Sequence, residues 1–247
     1  MWIILLNGIK RMDYNLGSSV VLTIAFSKKA FPIDCTLDDS EKKRASMFRF
    51  EHLREQYIFA HAFKRRILSH YFPFRKASEW YFAQTSSGKP YIKEDIAFNL
   101  SHSTSSVAIA LVESTDKSAV GVDIECFREM DDLESMIEMV CHPDEKQQLD
   151  ICDDRSKGFF KLWTAKEALL KACGSGLIDD LDRINCRQSL LSDQSYSLHW
   201  QGKQYCLKSF SFEWGVIAVV WSADLLVSDI RLDDWASGVP VSEAFCI

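Results

Sequence analysis

The spacing of apolar and polar positions predicts one long amphipathic helix in the second half of the chain. Residues 159–177, FFKLWTAKEALLKACGSGL, contain good helix formers and no proline, and Gly174 stands where a helix commonly ends. Apolar side chains at helical spacing predict the buried face, which consists of Phe159, Leu162, Ala165, Leu169 and Ala172. Trp163, Glu167 and Lys171 follow one another at intervals of four residues, so they lie along one side of this helix.

A second pattern, further upstream, predicts a strand with two acids on one face. Side chains alternate along residues 120–125, VGVDIE, so the β-branched residues face one way and Asp123 and Glu125 the other. The two acids fit either a solvated outer face or a site for a hard cation such as Mg²⁺, which takes oxygen ligands. Glu167 would add a third acid, and Lys171 could neutralise a phosphate oxygen. A carboxylate one turn before an ammonium is also a common helix-stabilising pair, so both interpretations stay open.

The remaining pattern predicts an α+β fold. Strands are predicted for the opening part of the chain, including residues 2–6. A helical region is predicted from Asp38 or Asp39, either of which could cap it, to about Phe72. An apolar strand at residues 107–112 and a group of surface helices follow. After the central helix, the chain is predicted to consist mainly of strands and turns.

Two pairs of similar segments suggest an internal duplication. The helical segment 59–64 resembles 163–168, at an offset of 163 − 59 = 104, and the strand 106–112 resembles 215–220, at an offset of 215 − 106 = 109. Similar offsets for a helix and a strand predict two similar α+β halves. The ligand site is expected in the cleft between the halves. The predicted halves are residues 1–115 and 116–247.

Charge is distributed unevenly along a chain of ordinary globular composition. The 247 residues have a net charge of −6, yet residues 42–76 contain ten bases and two acids, a local balance of +8. This contrast favours an anionic ligand or partner over a merely solvated helix surface. No apolar run is long enough for a membrane span, and residues 2–6 lack the basic flank of a secretion signal. The eight cysteines form no CxxC pair, so free thiols in a reducing cytosol are expected.

Two short motifs provide candidate phosphate contacts. Gly-Lys-Pro at residues 88–90 marks a turn, and NLSHS at residues 99–103 precedes the apolar strand. His102 stands between hydroxyl side chains and could donate a hydrogen bond to a phosphate, as could Lys89. A single histidine in such a segment is more often structural, so these motifs are weak when taken alone.

Together the motifs resemble those of a known enzyme family. GVDIE at residues 121–125 and WTAKEALLK at residues 163–171 resemble the paired signature of 4′-phosphopantetheinyl transferases, most closely the larger, monomeric class that activates surfactin synthetase and its relatives. The motifs at residues 88–90 and 99–103 are similar to two further motifs of that class and occur in the expected order. The resemblance spans about residues 44–177, and the rest matches only in general strand character.

The resemblance implies a fold, an activity and partners. The fold is two similar α+β halves with coenzyme A between them. The activity is transfer of the phosphopantetheine arm of coenzyme A to a serine of an acyl or peptidyl carrier protein, with release of adenosine 3′,5′-bisphosphate. The chain is expected to be a cytoplasmic monomer that binds neither nucleic acid nor membrane. Fatty-acid, polyketide and non-ribosomal-peptide carriers share the acceptor serine, so the sequence does not name the carrier.

The resemblance also implies roles for individual residues. Asp123, Glu125 and Glu167 would hold Mg²⁺, or Mn²⁺, against the pyrophosphate of coenzyme A. Lys171 would neutralise the diphosphate, and Glu167 or a metal-bound water would accept the serine proton. Contacts to the phosphates are expected from Lys89, Ser101 and His102, and those to the 3′-phosphate from one or more of Lys43, Arg44, Arg49 and Arg54.

Two alternatives remain open on the sequence. Another Mg²⁺-dependent phosphotransferase or a nuclease would also use three acids and a lysine, although the GxxxxGK[ST] phosphate loop is missing from this chain. A module that only binds coenzyme A or carrier proteins would have no need of the metal acids, all three of which are present.

Overall fold

Helices and strands follow one another in the order of an α+β protein. The computed structural model describes residues 19–30, 37–104, 106–117, 120–176 and 180–246. The strands are β1 (Val20–Ser27), β2 (Ala83–Gln84), β3 (Pro90–Tyr91), β4 (Ile96–Ser103), β5 (Ser106–Glu113), β6 (Val120–Cys126), β7 (Tyr196–Trp200), β8 (Lys203–Ser211), β9 (Gly215–Ser222), β10 (Val227–Asp234) and β11 (Val241–Cys246). The helices are α1 (Asp39–Ser46), α2 (Glu51–Tyr71), α3 (Leu133–Val140), α4 (Pro143–Leu149), α5 (Arg155–Cys173) and α6 (Gln188–Leu191). Single turns of 3-10 helix lie at Ala77–Glu79 and Leu181–Arg183.

A βαββ unit occurs twice along the chain. The first unit contains β1, α2, β4 and β5, and the second contains β6, α5, β8 and β9. In each unit the last strand lies between the other two and is antiparallel to both. The similar sequence segments fall on equivalent elements of the two units, α2 with α5 and β5 with β9. The α+β prediction is confirmed, whereas the duplication itself stays a prediction.

The last two strands return to the sheet of the first unit. β10 pairs in parallel with β1, and β11 pairs with β10, so the first sheet has the order β11-β10-β1-β5-β4. The second sheet has the order β6-β9-β8-β7. A division of the chain after residue 115 therefore does not describe the sheet membership of residues 227–246. The physical reason is that β5 occupies only one side of β1, and β10 pairs with the other side.

The two sheets pack against each other between two layers of helix. Ile24 and Ala110 of the first sheet belong to the same buried cluster as Val122 and Val219 of the second. α2 covers the other face of the first sheet through side chains such as Phe63, and α5 covers the outer face of the second sheet. β4 and β6 are edge strands of their sheets and lie side by side. No described helix has the length and apolar character that a membrane span requires.

The central helix begins earlier than the sequence predicts and ends at the glycine that was predicted to terminate it. α5 begins at Arg155 because the side chain of Asp154 caps it by accepting the N–H of Lys157 at 2.9 Å. It ends at Cys173, and Gly174 has a φ of 71°, a left-handed conformation that glycine adopts without strain. All five predicted apolar residues of this helix lie in the buried core. Residue 177 and the predicted strand at residues 2–6 lie outside the described residues.

The early helical region is two helices rather than one. α1 ends at Ser46 and α2 starts at Glu51, with a short connection between them. Asp38 is the residue that caps α1, in a capping box with Glu41. One of the two predicted caps is thus confirmed.

Two of the bases in residues 42–76 are internal. Lys64 and Arg65 are buried, and they donate to Glu41 Oε1 at 3.0 Å and Glu41 Oε2 at 2.7 Å. Burial alone would raise the pKa of Glu41, but a hydrogen bond with His61 and the two cations lower it well below its usual range. The +8 balance therefore overstates the positive charge that an anionic ligand or partner could meet, because these two bases lie inside the protein. Glu41, the residue directly before the basic segment, neutralises part of the charge of these two buried bases.

Candidate active site

The site forms where α5 lies unusually close to β6. A Cβ atom at Gly121 would stand 2.2 Å from the carbonyl oxygen of Ala168 and 2.4 Å from the backbone nitrogen of Ala172. Only glycine permits this approach, because the neighbouring atoms belong to the backbone. The approach places the outward-facing acids of β6 beneath the side of α5 that carries Glu167 and Lys171.

Asp123 is buried beneath α5 and bonded to two side chains. Its Oδ1 accepts from Lys171 Nζ at 2.6 Å and from Ser101 Oγ at 2.7 Å, and only 4% of the residue is exposed. Burial raises the pKa of Asp123, and the Lys171 ammonium opposes this change. The alternative of a solvated outer strand face is therefore excluded for Asp123.

Lys171 and Ser101 complete a closed group around this carboxylate. The Lys171 ammonium donates to Ser101 Oγ at 2.9 Å as well as to Asp123. These bonds use two of its three hydrogens, and its side chain is 29% exposed, so a ligand can still reach it. The interpretation of Lys171 as only a helix partner of Glu167 is wrong, because its ion pair is made with β6.

Glu167 and Asp123 together present oxygens suited to a cation. Glu167 Oε1 and Asp123 Oδ2 are both buried and are without a hydrogen-bond partner among the described residues. Burial raises the pKa of Glu167, and the charge of Asp123 raises it further. Buried carboxylate oxygens are costly unless paired, so the two residues fit a hard divalent cation such as Mg²⁺.

Glu125 has a different environment from the other two acids. Its Oε2 accepts from Ser103 Oγ at 2.7 Å and from a guanidinium nitrogen of Arg128 at 2.8 Å. Within the described residues, no group of three or more His, Cys, Asp or Glu side chains is arranged to hold a metal ion. The assignment of all three acids to one cation thus stays a prediction.

Edge strands β4 and β6 are joined by side chains. Asn99 Oδ1 accepts the backbone N–H of Val122 at 2.9 Å, next to the bonds that Ser101 and Ser103 make to the acids of β6. Every second residue of the NLSHS motif, namely Asn99, Ser101 and Ser103, therefore forms a hydrogen bond to β6.

Asn99, Ser103 and Arg128 were not among the predicted site residues. The alternation of NLSHS and the i, i+3 spacing of Glu125 and Arg128 are the signals that could have indicated them.

A cavity of about 280 Å³ lies beside the acids. It opens between the turn at residues 87–90 and the end of α5, and Glu167 and Lys171 line it. Lys89 also lines it, but its buried ammonium donates to the carbonyl oxygen of Val120 at 2.8 Å. Burial lowers the pKa of Lys89 to about 8. The ammonium has a structural partner here, and its contact with coenzyme A stays a prediction.

The side chain of His102 lies on the face of β4 opposite to Ser101 and Ser103, which bond to the acids of β6. It lines a second cavity of about 230 Å³ together with Gln56 and Phe59 of α2. Surrounding protein lowers the pKa of His102, and the charge of Lys171 lowers it further, although the ring still contacts solvent. Thr104, at the tip of the β4–β5 hairpin, has a φ of 52°, which a β-branched residue rarely adopts.

The predicted bases of the 3′-phosphate site lie on α1, on α2 and between them. Arg44 packs its guanidinium over the ring of Phe48 at 5.9 Å, and Arg54 pairs with Glu51 in its own helix. Within the described residues, no hydrogen bond or ion pair joins Lys43, Arg44 or Arg54 to the three acids. Their roles stay predictions.

Comparison with known proteins agrees with this geometry. Residues 119–227 match the ACPS family, described as the 4′-phosphopantetheinyl transferase superfamily. The resemblance to 4′-phosphopantetheinyl transferases is confirmed. The matched segment contains Asp123, Glu125, Glu167, Lys171 and Arg128, so all three acids of the site lie within it.

Several curated 4′-phosphopantetheinyl transferases are similar to this chain. HetI of Nostoc sp. is 35% identical over 149 residues, 58% of this chain and 61% of HetI. Gsp of Aneurinibacillus migulanus is 37% identical over 98 residues, 39% of each chain. The enzyme of Bacillus subtilis is 33% identical over 116 residues, 40% of this chain and 44% of that enzyme. The matched region thus spans between about two fifths and three fifths of the length of these relatives.

Proposed function

We propose that the protein transfers the 4′-phosphopantetheine arm of coenzyme A to a serine of an apo acyl or peptidyl carrier protein. The reaction requires Mg²⁺ and releases adenosine 3′,5′-bisphosphate. One observation carries the proposal, namely the pair of buried, unpartnered carboxylate oxygens on Asp123 and Glu167 beside the Lys171 ammonium. The family match and the adjoining cavity support it.

The three acids would hold the cation, and the Lys171 ammonium would lie beside it. Asp123, Glu125 and Glu167 would bind Mg²⁺, which supplies charge neutralisation on the pyrophosphate when it is bound. Lys171 would direct its remaining hydrogen toward the same phosphates. Because phosphoryl transfer depends mainly on positioning and electrostatics, these groups account for most of what the protein must do.

The transfer step needs an acceptor for one proton. The serine oxygen bonds to the phosphorus that bears the pantetheine arm, and the phosphoanhydride bond to the adenosine bisphosphate breaks. Glu167 would take the serine proton, since burial and the nearby Asp123 raise its pKa and so make it a stronger base. Lys171 would stabilise the charge that develops on the departing phosphate.

The other predicted residues would bind coenzyme A. Lys89 and Ser101 border the acids, and His102 faces α2 across the second cavity. Lys43, Arg44 and Arg54 are exposed and basic, which suits the 3′-phosphate. The proposed partners are coenzyme A and a carrier protein, and the proposed state is a cytoplasmic monomer.

Incubation with coenzyme A, Mg²⁺ and a panel of apo-carrier proteins tests the proposal. Mass spectrometry should detect one added phosphopantetheine arm on at least one carrier, and a chelator or a carrier with serine replaced by alanine should prevent the addition. Binding of coenzyme A without transfer to any carrier would instead favour a non-catalytic binding module.

A further inference from the structure

The three acids of the site differ in the cations that they contact within the protein. Asp123 Oδ1 is bonded to the Lys171 ammonium, and Glu125 Oε2 is bonded to the Arg128 guanidinium. Glu167 Oε1 is buried and has no hydrogen-bond partner among the described residues. Three negative charges are therefore opposed by two positive charges from the protein itself.

Arg128 is held in place by more than this ion pair. Its guanidinium lies 4.9 Å from the centre of the Phe160 ring, at the start of α5, and it also donates to the carbonyl oxygen of Cys126 at 3.3 Å. A stacked guanidinium with several acceptors keeps its orientation better than a free surface side chain does. Arg128 is 50% exposed, whereas Glu125 is only 15% exposed, so the pair stands at the rim of the site.

Glu125 Oε2 already accepts two hydrogen bonds. Ser103 donates from β4 and Arg128 donates from the segment after β6. A divalent cation that uses this oxygen must share it with a guanidinium, which repels the cation and competes for the same lone pairs. Asp123 Oδ2 and Glu167 Oε1 face no such competitor, because both are unpartnered within the described residues.

We propose that Arg128 is a positioning residue that sets the affinity of the acid site for its divalent cation by holding Glu125 Oε2. Asp123 Oδ2 and Glu167 Oε1 are the oxygens that the cation engages first. Glu125 contributes its Oε2 only as far as Arg128 releases it, while its Oε1 is held by neither Arg128 nor Ser103. The inference rests on the proposed function, because that proposal identifies the acids as a metal site. It adds a residue that the predicted signature does not include.

Binding of Mn²⁺ alone tests the inference without any transfer reaction. The amplitude of the free Mn²⁺ signal in electron paramagnetic resonance is followed as the purified full chain is titrated. Arg128→Met retains an apolar stem against Phe160 while removing the charge. It should bind Mn²⁺ about two- to fivefold more tightly, which corresponds to roughly 0.4–1 kcal/mol, the range of a partly exposed ion pair. Arg128→Lys, which keeps the charge, should stay closer to the wild type.

A double-mutant cycle separates action through Glu125 from a general loss of positive charge. In the Glu125→Gln background, Arg128→Met should change the affinity for Mn²⁺ by less than about twofold, because the oxygen that Arg128 holds is no longer charged. Equal tightening in both backgrounds would overturn the inference and leave only long-range repulsion. Circular dichroism of each variant verifies that the fold is retained.

The remaining outcomes are also decisive. Unchanged or weaker Mn²⁺ binding by Arg128→Met would overturn the inference, and the transfer assay would still decide the proposed function independently. Tighter binding by that variant, in a protein that modifies no carrier, would support the inference and contradict the proposed activity. A wild-type chain that binds no Mn²⁺ would overturn the inference together with the assignment of the metal site.

Discussion

Among single residues, Glu167 allows stability and activity to be tested separately. Burial and the neighbouring Asp123 both destabilise the ionised form of Glu167 and so raise its pKa. Glu167→Gln should therefore leave the melting temperature unchanged or raise it, while the rate of transfer falls about 10²–10⁴-fold through loss of the base. Thermal unfolding and the transfer assay measure the two effects on one preparation. The exposed Glu213→Gln, at the β8–β9 turn, is the matched control and should alter neither.

A parallel loss of stability and activity in Glu167→Gln would contradict the assignment. It would indicate that the carboxylate supports the helix rather than the chemistry, as an i, i+4 helix pair would.

Because of Lys89, the free energy of unfolding should vary with pH in the alkaline range. The folded-state pKa of Lys89 is about 8, below the ordinary lysine value of 10.5, because its ammonium is buried. Between these two values the unfolded chain binds more protons than the folded protein, so the contribution of Lys89 to stability rises with pH. Relative to Lys89→Met, the wild type should gain roughly 2–4 kcal/mol of unfolding free energy between about pH 8 and 10.5. Urea unfolding of both proteins across that range measures the difference.

A constant difference between the two proteins would contradict the lowered pKa. The comparison with Lys89→Met removes the effects of other groups that titrate in the same range, since both proteins share them.

The faces of the helix and strand on which the candidate site residues lie can be predicted from the sequence, but the environments of these residues cannot. Strand alternation and helix spacing place Asp123, Glu167 and Lys171 on the right faces of their elements. The burial of Asp123 and its bond to Lys171 follow from the close packing of α5 on β6, which no local pattern encodes. In the same way, the count of bases in residues 42–76 cannot tell that Lys64 points inward to Glu41.

Among the elements, the close contact between β6 and α5 depends on Gly121, which has no side chain. Gly121→Ala would bring a Cβ atom to 2.2 Å from the backbone oxygen of Ala168, and helix and strand would have to separate. The change should cost about 1–3 kcal/mol of unfolding free energy and lower the rate of transfer as well, since Glu167 and Lys171 move with the helix. Denaturant unfolding and the transfer assay measure these effects.

Gly158→Ala, a change within α5 itself, provides the control for this prediction. Its Cβ atom would meet the end of the Leu149 side chain, which can rotate away, and alanine favours the helix. An equal loss in both variants would contradict the role given to close backbone approach at Gly121.

The boundaries of elements are less predictable than their existence. The sequence predicts the central helix, its buried face and its glycine end, but it places the start at Phe159, whereas the Asp154 cap begins the helix at Arg155. It also predicts one early helical region where a break separates α1 from α2. Both differences arise at helix ends, and a side-chain hydrogen bond accounts only for the first, because Phe50 precedes α2 without capping it.

For the whole molecule, the last strands are as important as the βαββ units. β10 buries Ile230 and Leu232 beside β1, and Trp235 follows directly. A chain that ends at residue 226 would lose roughly 5–9 kcal/mol of apolar burial, which is comparable with the total stability of a domain. It should fail to fold, as judged by circular dichroism and by the absence of a cooperative melting transition.

A chain that ends at residue 240 is the control, because it keeps β10 and removes only β11. It should retain a cooperative transition at a lower temperature. Folding of the shorter chain with normal stability would contradict the structural role of β10.

The side-chain hydrogen bonds that join β4 to β6 have a consequence for the order of events when the chain folds. Of the contacts that build the site, the bond from Lys171 of the second βαββ unit to Ser101 of the first joins residues 70 apart in sequence. Closing such long loops is slow compared with forming a helix or hairpin. Each βαββ unit can therefore acquire its secondary structure first, and the second unit can form its Lys171–Asp123 and Arg128–Glu125 pairs, before Ser101 and Ser103 of β4 reach the acids. In a newly made chain, the hydrogen bonds from β4 that complete the acid site would be among the last to form.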